Sequence, residues 1–267
     1  MRTRRFLAIP VRQFYLYRGS PARVLSLFAW IAIDIVLWGF ISRYLNTVAS
    51  PGYNFVPALL GAVLLWDFFT RVMQGVTMAF FEDVWSRNFL NIFGSPMSIT
   101  EYVTGLVISS IATSSVGLVA MLILAGGIFR LDLFLYGVAA VPFLAVLFLF
   151  GIALGIMASA LVMRLGPSAE WFIWPIPALL SPFAGVFYPL EVLPQWMQFV
   201  ARGLPPGYVF ENLRRIVKGG AFSSAELLAG CILSIAYILL ASLIFQGTYR
   251  FVVRTGLMAR YSAESVS

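Results

Sequence analysis

The sequence predicts an all-α, polytopic integral membrane protein, and three observations carry that prediction. Of the 267 residues, 61% are hydrophobic and only 11% are charged, whereas soluble domains carry roughly 25% charged residues. Several uninterrupted apolar stretches exceed the ~18 residues that cross ~30 Å of hydrocarbon. A proline-broken segment, Ser181–Gly220, is too apolar for an aqueous loop and too interrupted for one helix. Irregular backbone of that kind is tolerated in a membrane only where protein or a cavity surrounds it.

In chain order, residues 1–23 place Arg2, Arg4, Arg5, Arg12, Arg18 and Arg23 among Phe6, Leu7, Ile9, Phe14, Tyr15 and Leu16. That pattern fits an amphipathic helix on the cytoplasmic membrane surface, broken by Gly19-Ser20-Pro21. It does not fit a cleavable signal peptide. Six spans follow, at about 24–42, 56–79, 99–129, 133–162, 171–188 and 225–249. An even number puts both termini on one side. The N-terminal arginines, with Arg87, Arg164, Arg250, Arg254 and Arg260, outweigh Arg43, Arg130, Arg202, Arg214, Arg215 and Lys218 on the other side. The positive-inside rule therefore makes both termini cytoplasmic and turns the 181–220 stretch outward. The same bias accounts for the net charge of +7, so no nucleic-acid partner is inferred. The tail from 250 to 267 reads as a cytoplasmic extension with a disordered end.

The residue inventory excludes much chemistry. There is no His and one Cys, Cys231, so neither an intrachain disulfide nor a Cys/His metal site forms. Lys218 is the single lysine and follows Val217, so no phosphate-binding Gly-Lys-Ser/Thr loop exists. Any ATP used must be bound by another chain.

Three groups of residues are candidates for function. In span 2, Asp67, Arg71, Gln74 and Met78 share one helical face. Asp34 lies at similar depth in span 1, which predicts an intramembrane cluster of Asp34, Asp67 and Arg71. Ionisable groups at that depth need partners or water. The cluster is read either as the lining of a path or as an ion pair locking spans 1 and 2. The second group is the loop 80–98, where Glu82 and Asp83 are expected to open a short amphipathic helix with Trp85, Phe89, Ile92 and Phe93 on its apolar face. The third is the outer segment 189–220, expected as two short re-entrant or interfacial helices cornered at Pro205-Pro206, with Arg214, Arg215 and Lys218 toward headgroups. The serines of span 3 and the Gly151/Gly155 pair of span 4 read as close helix packing. Phe134, Phe143, Phe148 and Phe150 read as lipid-facing.

The order of several short motifs resembles the permease subunits of ABC-2-type exporters. These are the basic amphipathic start, Ser95-Pro96-Met97-Ser98 with Glu101, Gly185-Val186-Phe187-Tyr188-Pro189-Leu190, and Leu204-Pro205-Pro206-Gly207-Tyr208 followed by Glu211-Asn212-Leu213-Arg214. Gly203–Gly207 departs from the family's usual Asn-Pro-Leu-Thr, which alters the backbone expected there. The resemblance implies a single domain over 1–267 that pairs as a homodimer with two copies of a separate ABC ATPase in the inner (plasma) membrane. ATP and Mg would belong to that partner, with no cofactor, metal or catalytic residue in this chain. It implies an ATPase-coupling surface at Glu82, Asp83, Trp85, Arg87, Asn88 and Phe89. It also implies an outer gate at Phe183, Phe187, Tyr188, Trp196, Tyr208 and Phe210. A lipidic, glycan or amphiphilic substrate would pass outward between two protomers, with membrane lipids as further partners. Two other classes are weighed against it: a self-contained secondary transporter or channel using Asp34, Asp67 and Arg71, and a lipid-modifying membrane enzyme. The enzyme fits poorly, because adjacent Glu82 and Asp83 point about 100° apart on a helix.

Overall fold

The computed structural model describes residues 5–48, 54–86 and 88–257, and these form helices and turns with no strand among them. Arg2, Arg4, Arg87, Arg260 and the end of the C-terminal tail lie outside the described residues.

A short helix α1 (Ala8–Arg18) leads through Gly19 into α2 (Pro21–Val48). The chain returns through a π-helical turn, Val56–Leu60, continuous with α3 (Gly61–Trp85). A six-residue helix α4 (Phe89–Gly94) precedes α5 (Ile99–Phe129). The next long helix is α6 (Ala140–Leu165). Two short helices, α7 (Glu170–Ile173) and α8 (Ile176–Ala184), come next. The hairpin α9 (Gln195–Arg202) and α10 (Pro205–Val217) leads into α11 (Ser224–Thr255). Among the described residues, five helices are long and apolar enough to cross a membrane: α2, α3 with its π turn, α5, α6 with its preceding turn, and α11.

The expected fifth span differs. Residues 170–184 form helices of four and nine residues, parted at Trp174. Pro175 has no N–H to donate, and Pro177 and Pro182 follow it, so one regular ladder cannot run through. At ~1.5 Å per residue, 15 residues reach about 22 Å, short of the ~30 Å hydrocarbon core.

Packing centres on α3 and α6. α6 packs most extensively on α11 and α3, and α3 on α5. In lipid, apolar surface gives helices little reason to associate, so close backbone approach matters. Small residues supply it. Gly151 sits against Val72 and the Phe69 carbonyl, Gly155 against Val76 and the Met73 carbonyl, and Gly75 against Ser110. Ser110 Oγ donates to the Val72 carbonyl at 2.8 Å. A Cβ at Gly155 would lie 2.7 Å from Val76 Cβ and 2.8 Å from the Met73 oxygen. Gly155→Val is expected to cost about 1–3 kcal/mol by overpacking, read as a lowered midpoint of chemical unfolding in detergent.

The aromatic face of α6 does not point to lipid. Phe143 and Phe150 are fully buried. Phe150 stacks on Phe69 with ring centroids 5.6 Å apart and meets Tyr237 edge-on at 5.2 Å. The phenylalanines fall on the side that α3 and α11 cover, which composition alone does not reveal.

The Ser95–Glu101 motif has a local physical reason. Ser98 caps α5: its Oγ accepts from the Glu101 N–H at 3.2 Å, and Glu101 Oε2 accepts from the Ser98 N–H at 2.8 Å. This capping box satisfies donors that a helix start leaves open. Ser98→Ala is expected to cost about 1 kcal/mol, read in the same unfolding assay.

The hairpin packs against the long helices, with α10 against α11 and α6. Pro205 and Pro206 occupy the first turn of α10, where a missing N–H costs nothing. Tyr237 donates to the Gly203 carbonyl at 3.0 Å. Tyr237 lies 13 residues into α11, about 20 Å from its start. The corner is therefore tied to the middle of α11, while Asn212 bonds Glu226 and the Ser223 N–H at the start of that helix.

Candidate functional site

The helix ends near α1 are joined by arginines. Arg12 pairs with Asp83, Arg23 Nη2 donates to Glu82 at 2.7 Å, and Arg5 Nη1 donates to the Pro96 carbonyl at 2.6 Å. Asp83 is wholly buried and also accepts from the Tyr102 hydroxyl at 2.7 Å. Burial works against the Arg12 charge, but the hydrogen bond and charge of Asp83 outweigh it, and the Arg12 pKa stands above its ordinary value. Ile9 packs over Gly105. Thus α1 turns Arg12, Gln13 and Ile9 inward and leaves Val11, Phe14 and Tyr15 exposed.

This arrangement corrects the sequence reading of Glu82 and Asp83. They do not open a short helix; they close α3, whose ladder continues to Trp85 because Ala79-Phe80-Phe81 contains no breaker. Carboxylates at a helix C-terminus oppose the macrodipole, and Arg12 and Arg23 offset that. Only Phe89–Gly94 forms the separate short helix. Asp83 is therefore enclosed within the chain, Glu82 is tied to Arg23, and Trp85 is half exposed, stacked on Phe81 at 5.2 Å. Asn88 N–H donates back to the Asp83 carbonyl.

Above this joint, α2 packs mainly on α5 and makes few contacts with α3. The gap is a cavity of about 790 Å³, bordered by Asp34, Asp67, Arg71, Gln74, Trp30 and Trp174 among others. It reaches Gln13, Glu82 and Trp85 at the α1 end. Asp67 is 18 residues from Trp85, which is about 27 Å along α3. Arg71 Nε donates to Asp67 Oδ2 at 3.0 Å, within one helix. Asp34 borders the same space from α2. The three predicted residues thus share one cavity, and the ion pair itself is internal to α3. Ser109, Thr113 and Ser114 of α5, read from sequence as packing, border the same space.

The outer residues do not form one cluster. Phe183 meets Trp196 at 6.3 Å, Phe187 stacks on Trp38 at 5.1 Å, and the buried Phe210 faces Trp66 at 6.1 Å. Tyr188 and Tyr208 donate to the Pro182 and Arg202 carbonyls. Arg214 does not face headgroups. It is buried, with Nη1 2.6 Å from the Gly185 carbonyl and Nη2 2.7 Å from Glu211. Glu211 also accepts from the Leu190 N–H at 2.8 Å. Arg215 pairs with Glu226 at 3.1 Å. Among the described residues no group of three His, Cys, Asp or Glu could hold a metal.

Of the Arg12–Asp83 and Arg214–Glu211 contacts, the charge pattern could have suggested only one. The second is an i,i+3 pair legible on a helix; the first joins residues 71 positions apart, and no local signal encodes it.

A search of the curated proteins found no match. A family model described as ABC-2 type transporter matches residues 4–217. That range takes in α1, the arginine-held joint, the cavity walls and the hairpin through α10, so the chain belongs to the ABC-2 type transporter membrane family and is a permease component.

Proposed function

We propose that this permease forms, as a homodimer, the translocation path of an ATP-driven exporter powered by two copies of a separate ABC ATPase. The observation that carries the reading is the cavity of about 790 Å³. It places polar and charged side chains along a membrane-crossing helix, at a depth where lipid-facing charges are costly. It extends to α1 and Trp85, the surface proposed to receive the ATPase. Both termini are then cytoplasmic, α1 lies at the inner (plasma) membrane surface with Phe14 and Tyr15 toward lipid, and the α9–α10 hairpin re-enters from the outer side. Residues 170–184, with the turn that follows, serve as the short fifth crossing.

The joint gives the coupling a physical route. Arg5, Arg12 and Arg23 bind the N-terminal segment to the ends of α3 and α5. A push on Trp85 or α4 is transmitted to α3, which carries Asp67 and Arg71.

The test is co-purification with an ABC ATPase subunit from the same cell. Trp85→Ala combined with Asn88→Ala is expected to cost at least about 2 kcal/mol of binding, roughly 30-fold in affinity, and to lower ATPase activity of the complex. Unchanged binding and hydrolysis would refute the coupling surface. Substrate movement in vesicles under an ion gradient alone, with no ATPase present, would favour the secondary-transporter reading of the same cavity.

A further inference from the structure

The charged residues bordering the cavity are Asp34, Asp67, Glu82, Arg23 and Arg71. Arg71 pairs with Asp67 and Arg23 with Glu82. Asp34 is the carboxylate left over, so among the described residues the lining carries one more acidic than basic side chain. Trp30 is one helical turn before Asp34 and shares its face of α2. Trp85 and Trp174 border the same space, and all three rings are exposed.

We infer that the cavity receives an amphiphilic organic cation, its positive charge held by Asp34 and its apolar body by Trp30 and Trp174. This rests on the reading of the cavity as the substrate path. A cation placed between a carboxylate and an indole face gains from both the charge and the ring quadrupole. An anion would face the Asp34 carboxylate, with Arg71 already paired to Asp67. A neutral glycan would leave the Asp34 charge uncompensated at membrane depth. A metal ion is far smaller than the space and finds no cluster of three ligands among the described residues.

Two probes of the same shape and opposite charge test this: tetraphenylphosphonium and tetraphenylborate. Saturable binding is measured by equilibrium dialysis on the purified full chain in lipid nanodiscs, with empty nanodiscs subtracted. The wild-type protein is expected to bind the cation at least about tenfold more tightly than the anion. Asp34→Asn is expected to lose about tenfold for the cation, with binding of neutral triphenylphosphine oxide unchanged and Asp34→Glu close to wild type. Equal binding of the two ions, a preference for the anion, or wild-type cation binding in a folded Asp34→Asn protein would overturn the inference. If Asp34→Asn does not fold, the wild-type comparison still decides. No ATPase enters the assay. Cation binding without any effect on a partner's hydrolysis would sink the ATP-driven reading alone, and normal coupling without charge preference would sink this inference alone.

Discussion

Asp83→Ala will lower the stability of the permease by about 3 kcal/mol, the largest single effect expected at the α1 end. Asp83 is wholly buried and accepts from both Arg12 and the Tyr102 hydroxyl. Its removal leaves a guanidinium in protein surroundings where Nε and Nη2 already lack hydrogen-bond partners among the described residues. Breaking a buried pair by deleting one partner typically costs 3–5 kcal/mol, chiefly through the charge left behind. The low end applies because the Arg12 side chain keeps 28% exposure. The stranded Tyr102 hydroxyl adds part of a further ~1–3 kcal/mol. Asp83→Asn should fall between, since an amide oxygen can still accept from Tyr102 but carries no charge. The double variant Arg12→Met, Asp83→Leu should recover much of the loss, because apolar residues of similar size remove both desolvation costs. The measurement is chemical unfolding in detergent, with limited proteolysis reporting release of α1. Asp83→Ala within about 0.5 kcal/mol of wild type, the range of ordinary surface changes, would show that the joint holds nothing.

What the sequence revealed and what it hid divide along the range of the interactions involved. The long helices are legible because each is a run of apolar residues, and the bilayer sets the required length. The Asp34, Asp67 and Arg71 grouping is legible because α2 and α3 are consecutive antiparallel helices, so depth can be counted residue by residue. The hairpin corner at Pro205-Pro206 follows from proline's missing donor. The faces were harder to read. Phe143 and Phe150 are as apolar as any lipid-facing residue, and in a chain this hydrophobic, polarity no longer separates inside from outside. Asp83 was placed at a helix start by its local neighbours, yet α3 runs past it and Arg12 supplies the compensation from a distant part of the chain. Arg214 read as a headgroup contact because arginines at membrane ends usually are. Its burial depends on Gly185 and Glu211 meeting it from two sides.

Arg214→Leu is expected to cost about 3 kcal/mol and to loosen the hairpin from α8. The guanidinium is buried and bridges two elements: Nη1 holds the Gly185 carbonyl and Nη2 holds Glu211. Glu211 in turn accepts from the Leu190 N–H, so one side chain fixes the exit of α8 and the turn entering the hairpin. Gly185 is in the left-handed region at φ +66°, and a Cβ there would lie 2.8 Å from Leu190 Cδ2 and 3.1 Å from Arg214 Nη2. That tight approach requires glycine and brings its carbonyl within reach of Arg214. Leucine fills the volume but strands Glu211 and the carbonyl, and deleting one member of a buried charged pair costs ~3–5 kcal/mol. The partial exposure of Glu211, 31%, again favours the low end. Arg214→Lys keeps the charge but cannot present the planar fork to two acceptors, so it should recover only part of the loss. Faster proteolytic cleavage between Pro189 and Pro194 in Arg214→Leu, with α1 still protected, would localise the effect to the hairpin. Wild-type unfolding and wild-type cleavage in Arg214→Leu would show that the bridge does not anchor it.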